Sequence, residues 1–184
     1  MSKFLRMIVA GTAVFALTGT VMAQMNIGFN GIGAKIGYIS PSDNIESTIG
    51  FGVVADLGTV SNNLHLRAGL DYWSKSYGSA LGGGSVSFSE MVLGAQVLYY
   101  FPAKNSSFMP YAGGGLDFTR GSAKVDLGPY GSSSSSDTKI GFDLVGGADY
   151  PLSPQMTGFA ELKYHADGTD YFAVFGGVIY QLSK

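Results

Sequence analysis

From residue 24 onward the chain alternates: apolar residues recur at every second position near 31–40, 47–57, 64–75, 86–101, 108–119, 138–150, 156–165 and 171–182. No stretch there keeps apolar residues at the i, i+3, i+4, i+7 spacing of a helix for long, so the pattern predicts eight β-strands. One parity of each strand is almost wholly apolar, as with Ile32, Ala34, Ile36 and Tyr38 in the first or Met91, Leu93, Ala95, Val97, Tyr99 and Phe101 in the fourth. The opposite parity holds the charges: Lys35, Asp56, His65, Arg67, Asp71, Lys75, Glu90, Asp117, Asp143, Asp149, Glu161, Lys163 and His165, spaced among glycines. A soluble sandwich or lipocalin-type barrel would turn the apolar parity inward and the polar parity to water. A membrane barrel does the reverse, with lipid on the apolar side and an enclosed lumen on the other.

Three features favour the bilayer. The polar parity is mostly glycine, with charges of both signs and the bulky Trp73, Tyr100, Tyr111 and Phe159, which suits a crowded interior rather than a wet face. The apolar parity gathers aromatics at two levels, Tyr38, Phe51, Tyr72, Phe118, Phe142, Tyr164 and Phe172 at one and Tyr99, Phe101, Tyr150 and Tyr180 at the other. Such girdles mark the two membrane interfaces. With residue 24 on the inner side, the inner connections at 58–63, 102–107 and 151–155 are short. The outer ones, near 41–46, 76–85 and 120–137, are mostly longer, and the last contains the serine run Ser132–Ser136. Backbone groups in lipid must all be paired within the protein, so the sheet has to close. The predicted fold is an all-β, eight-stranded, antiparallel up-and-down transmembrane barrel over residues 24–184.

Residues 1–23 read as a cleavable signal peptide: Lys3 and Arg6, then an apolar run from Met7 to Leu17, then Val21-Met22-Ala23. Composition narrows the function classes further. The chain of 184 residues has no cysteine, which excludes disulfides, thiolate catalysis and cysteine zinc sites. Its net charge of -2, with basic residues scattered singly, leaves no stripe to neutralise phosphates, so nucleic acid is not a partner. Neither a metal-ligand spacing nor a cofactor motif occurs.

The parity assigns Lys35, Asp56, His65, Arg67, Asp71, Lys75, Glu90, Asp117, Asp143, Asp149, Glu161 and Lys163 to a lumen ion network. Enclosed charges must pair, so the network is expected to plug the barrel. Tight inner turns place Asp56 opposite His65, Gly50 opposite Asp71, Asp143 opposite Lys163 and Val145 opposite Glu161. A gated narrow path for ions or small solutes is the alternative, its acidic excess favouring cations. An envelope enzyme acting on lipid A is a second alternative and requires a histidine with a nearby serine. His165-Ala166-Asp167 supplies no such serine, and His65 lies at the other end of the barrel. The chain is therefore read as a non-enzyme without cofactor or metal. The outer segments 76–85 and 120–137 remain the sites for a surface ligand.

Pro110-Tyr111-Ala112-Gly113-Gly114-Gly115-Leu116, Gly158-Phe159-Ala160-Glu161-Leu162-Lys163-Tyr164 and the last strand resemble the small eight-stranded outer-membrane barrels of Gram-negative bacteria. That family includes the transmembrane domain of outer-membrane protein A and outer-membrane protein X. The resemblance covers the chain after the leader. It implies an outer-membrane location and a monomer held in outer-membrane lipid, with a structural or surface-interaction role. It also implies delivery by periplasmic chaperones and the barrel insertion machinery. Gly177, Tyr180 and Leu182 are similar to the assembly signal which that machinery reads. Phe175 departs from the family pattern, standing where a polar residue is usual; Leu182 stands in for a terminal aromatic, and Ser183 and Lys184 follow it.

Overall fold

The alternation becomes eight long strands joined in chain order. A computed structural model describes residues 26–42, 45–78, 84–102 and 107–182. The expected signal peptide over 1–23 lies outside the described residues. The strands are β1 (Asn26–Pro41), β2 (Thr48–Ser61), β3 (Leu64–Gly78), β4 (Ser85–Tyr100), β5 (Met109–Asp126), β6 (Ser132–Ser153), β7 (Met156–Ala166) and β8 (Tyr171–Gln181). Each pairs antiparallel with its neighbour, and β1 pairs with β8, so the barrel closes and the membrane-spanning wall has no open edge.

The two parities separate as the pattern predicts. Ile36, Leu116, Ile140 and Leu162 are all more than 60% exposed on the outside of the wall, where lipid tails would cover them. Trp73, Asp71, Asp117, Asp143 and His165 are almost fully buried inside. Among the outward aromatics, Phe51 packs against Tyr72 (ring centroids 5.5 Å apart) and Tyr164 against Phe172 (4.8 Å) at the outer level. Tyr99 meets Phe101 at 5.2 Å at the inner level.

Two sequence expectations need correction. The register differs by two residues from the expected one in the two inner hairpins with an expected pairing, β2–β3 and β6–β7. Asp56 faces Arg67, Gly52 faces Asp71 and Gly50 faces Trp73, while Asp143 faces His165, Val145 faces Lys163 and Gly147 faces Glu161. The cause lies at the turns. Strands β2 and β6 run on to Ser61 and Ser153, leaving two-residue turns, and each carries an irregularity that inserts residues on one side only. In β2 this irregularity contains Gly58, at φ 88°, whose N–H donates to Asp56 Oδ1 at 2.8 Å. A slip of two preserves parity, so every side chain keeps its side of the wall.

The second correction concerns 120–137, which is a hairpin rather than a loop. Ser132–Ser136 pair with Asp126, Val125, Lys124, Ala123 and Ser122 in turn, and only Leu127–Gly131 are unpaired. Serine has little intrinsic β preference, but here the partner strand satisfies its backbone and water satisfies its hydroxyl. The outer parts of β3 to β6 consequently stand beyond the outer girdle as a four-stranded sheet, since β6 has no partner on β7 above Phe142. On its outward face the apolar parity changes abruptly to polar, with Ser74, Ser89, Ser122 and Ser136 aligned across the four strands. That change marks where the wall leaves hydrocarbon for water.

Candidate functional site

Inside the barrel the charges form three connected levels. At the inner level Arg67 Nη2 donates to Asp149 Oδ2 (2.9 Å) and to the Tyr100 hydroxyl (2.9 Å), while the Tyr100 hydroxyl itself donates to Asp149 Oδ2 at 2.6 Å. The Arg67 guanidinium lies 5.3 Å from the ring centroids of both Tyr111 and Phe159, a cation held between aromatic faces. The Tyr111 hydroxyl continues the chain by donating to Glu161 Oε2 at 3.0 Å.

The middle level is built on two lysines. Lys35 Nζ is 2.9 Å from Asp71 Oδ1 and 3.8 Å from Glu161 Oε1; Lys163 Nζ is 3.1 Å from Asp71 Oδ2 and 2.9 Å from Asp143 Oδ2. Asp71 thus holds one ammonium on each carboxylate oxygen. Lys35 also lies 4.4 Å from the centroid of the Phe175 ring. This accounts for an aromatic at that position: the ring carries part of the cation's neutralisation from the facing strand.

At the outer level His165 Nδ1 is 2.9 Å from Asp143 Oδ1 and 3.4 Å from Asp117 Oδ2, while its Nε2 is 3.2 Å from Thr119 Oγ1. Thr119 in turn donates to Asp117 Oδ1 at 2.7 Å. Trp73 Nε1 donates to Glu90 Oε1 at 3.2 Å, and Tyr171 stacks on the His165 ring at 4.7 Å.

The glycines of the wall are where this interior finds its volume. A Cβ at Gly141 would lie 2.5 Å from Asp117 Oδ1 and 2.7 Å from His165 Cε1, and one at Gly147 would meet the Tyr111 ring tip at 2.7 Å. At these positions the missing side chain is replaced by a plug residue from another strand.

Of the expected network members, Lys35, Arg67, Asp71, Glu90, Asp117, Asp143, Asp149, Glu161 and Lys163 lie buried in the lumen. Three stand apart. Lys75 lies above the outer girdle and pairs with the exposed Glu46 at 2.9 Å, because β3 continues past the membrane. Asp56 is tied to its own turn through Gly58, and the His65 ring packs at a tilt against Tyr100, centroids 4.3 Å apart, beside the inner mouth. Conversely, His165, Thr119 and Tyr171 are not among the expected members although all are buried in the lumen. His165 is legible in principle, since it continues the parity of Glu161 and Lys163 on one strand.

At the waist, lined by Lys35, Arg67, Asp71, Gln96, Asp143, Phe159, Glu161 and Lys163, the free volume is about 10 Å³. That is room for about one water. An outer cup of about 230 Å³ and an inner cup of about 340 Å³ open on either side of it.

An eight-stranded closed sheet with a lipid-facing wall and a charge-filled lumen defines a small integral membrane barrel. Residues 8–179 match the family model of the outer membrane protein beta-barrel domain, and the chain belongs to that family and to the outer membrane. Among solved structures it is similar to Neisserial surface protein A (NspA), at 22% identity and a TM-score of 0.67, covering 86% of this chain and 100% of that one. It is also similar to a major outer membrane protein from Thermus thermophilus (14%, TM-score 0.62, 84% and 100% covered). A third is Ail, the attachment invasion locus protein of Yersinia pestis (16%, TM-score 0.58, 84% and 100% covered). No curated protein matches.

Proposed function

We propose that the chain is a non-conducting outer-membrane barrel that serves as a rigid mount for the sheet it holds outside the membrane. One observation carries this reading: the waist of about 10 Å³, where Lys35 and Lys163 are locked to Asp71. An ion crossing it would have to break pairs in a low-dielectric interior, where parting one buried partner costs about 3–5 kcal/mol. The test is planar-bilayer recording of the refolded protein. The membrane stays silent with the wild type, and steady unitary openings would replace this reading with the narrow-channel one.

The surface role rests on the outer sheet, whose tip presents Leu127 and Tyr130 to solvent, with Arg120 and Lys124 on its outward face. Ail, a barrel of the same fold, has been solved in complex with the heparin analogue sucrose octasulfate. By analogy a surface ligand of this chain would meet the outer sheet. The protein acts as a monomer in outer-membrane lipid, reached by removal of the leader 1–23, carriage by periplasmic chaperones and insertion through a signal centred on Gly177, Tyr180 and Leu182.

No catalysis is assigned. Thr119, His165 and Asp143 have the residue types of a hydrolytic triad, but the Thr119 proton is donated to Asp117 and the hydroxyl is almost fully buried. A nucleophile needs its proton on the histidine and its oxygen open to substrate.

A further inference from the structure

The outer level of the lumen has a feature that plugging does not require. Asp117 on β5, Asp143 on β6 and His165 on β7 bring three ligand atoms within 4.8 Å of one another, all three residues buried. Their remaining polar atoms are already held from outside the group. Asp143 Oδ2 is bound by Lys163 Nζ (2.9 Å) and Gln96 Nε2 (3.1 Å). Asp117 Oδ1 and His165 Nε2 are both fixed by the one Thr119 hydroxyl, at 2.7 Å and 3.2 Å. What is left is Asp143 Oδ1, Asp117 Oδ2 and His165 Nδ1, facing each other with a single Nδ1 position between two carboxylates. Nδ1 lies 2.9 Å from the first oxygen and 3.4 Å from the second, and Asp117 Oδ2 accepts no hydrogen bond.

We propose that these three atoms are a binding site for one divalent transition-metal ion of the zinc class. The two separations from Nδ1, 2.9 and 3.4 Å, suit it: ligands at bond lengths of about 2.1 Å lie about 3.0 Å apart in an octahedron and about 3.4 Å apart in a tetrahedron. Metal-bound histidine normally uses its second nitrogen for an outer hydrogen bond that fixes the ring, and Thr119 occupies that place here while also orienting Asp117. Charge points the same way. Among the described residues, the buried carboxylates Asp71, Glu90, Asp117, Asp143, Asp149 and Glu161 outnumber the buried cations Lys35, Arg67 and Lys163 even with His165 charged, and Glu90 and Asp117 of the excess lie at this level. Buried acids without ammonium partners are commonly matched by a metal. One imidazole with two carboxylates favours a borderline transition ion over calcium, which takes oxygen ligands in larger number. The ion replaces the Nδ1 proton, so binding releases one proton for each ion taken up when that proton is present. A second polar group without a hydrogen-bond partner, the fully buried Tyr171 hydroxyl, belongs to the ring stacked on His165. The outer cup, lined by Glu90, Thr119, Asp137, Lys139 and Asp167, is the nearest opening: its Thr119 touches both Asp117 and His165.

The protein carries a reporter for the test. Trp73 is its single tryptophan and packs edge-on against Tyr171 at 6.4 Å, two rings from His165. The refolded full-length barrel in detergent is titrated with zinc(II) and cobalt(II) alone, with calcium as comparator. One zinc(II) ion binds per chain, and cobalt(II) quenches Trp73 and develops the visible bands of an ion with a nitrogen ligand, which zinc(II) reverses. Affinity falls by at least about tenfold in Asp117→Asn and in His165→Gln, tenfold being the lower end of what loss of an outer-shell partner already causes. A Glu46→Gln control keeps wild-type affinity. The proposal is overturned if the folded wild type takes up neither ion at millimolar concentration, if calcium binds as tightly as zinc(II), or if folded variants bind like the wild type. Should both variants fail to fold, the wild-type cobalt(II) spectrum decides: bands without an imidazole ligand also overturn it.

Discussion

The membrane-embedded wall and the outer sheet are built from the same strands with the same alternation, yet they are held together by different chemistry. Along β5 the outward positions run Leu116, Phe118, Arg120, Ser122 and Lys124, and the backbone pairing with β4 and β6 continues without a break. Below the girdle, the outward side chains meet lipid and the inward ones form an ion network with almost no free space. Above it, both sides are wet and the ion pairs lie in the open, as with Lys75 and Glu46. Strand geometry therefore says little about stability; the medium on each side decides what a side chain contributes.

The largest effect is expected at the waist. Asp71→Ala leaves Lys35 and Lys163 without the carboxylate they share, and should lower unfolding stability by about 3–5 kcal/mol. Urea titration of the refolded barrel, followed by Trp73 emission, measures it. A loss below about 1 kcal/mol, the scale of an exposed pair, would mean that the lumen is wetter than its volume implies. Next comes one substitution made on both sides of the girdle. Leu116→Arg, facing mid-wall lipid, should cost about 2–4 kcal/mol, whereas Ser122→Arg on the same strand and face should cost no more than about 1 kcal/mol. Equal costs in vesicles would place the membrane boundary elsewhere.

Smaller effects belong to the outer sheet. Tyr130 is 89% exposed at the hairpin tip, so chymotrypsin added to intact cells should cut there and leave the membrane-embedded barrel intact. Protection of Tyr130 in cells but not in detergent would reverse the assigned orientation. Smallest is a pH effect at the β7–β8 turn. Asp170 is held below the usual carboxylate range by the Tyr164 hydroxyl and the Gly168 N–H. A lowered folded-state pKa gives stability that is present above the unfolded value and lost as pH falls through the folded one. Hydrogen-exchange protection of residues 167–170, taken against the unstructured-chain rate at each pH, should accordingly fall in acid, and Asp170→Asn should remove that dependence.

Most of the architecture is legible in the sequence because alternation is a strict period-two signal and a residue cannot change sides without breaking it. The eight strands, their order and the side on which each charge lies follow from parity alone. Register is not legible, because it depends on local insertions such as that at Gly58, which no period reports. The serine run reads as a loop because low β preference looks like absence of structure, whereas pairing with β5 supplies what serine lacks. In the lumen, parity names the charged members but cannot group them. Asp117, Asp143 and His165 come from three different strands, so their approach is a fact of closure and not of spacing. Parity places His165 on the inner side, but nothing in the sequence shows how deep it lies or which acids meet it.

The narrow waist has a consequence for the cell that carries it. A permeable pore imposes a leak that grows with every copy inserted, so its abundance is limited by what the envelope can tolerate losing. On the non-conducting reading proposed above, a barrel stopped at mid-height by its own side chains adds nothing to that leak. Expression can then be set by how densely the surface needs covering, free of any permeability constraint.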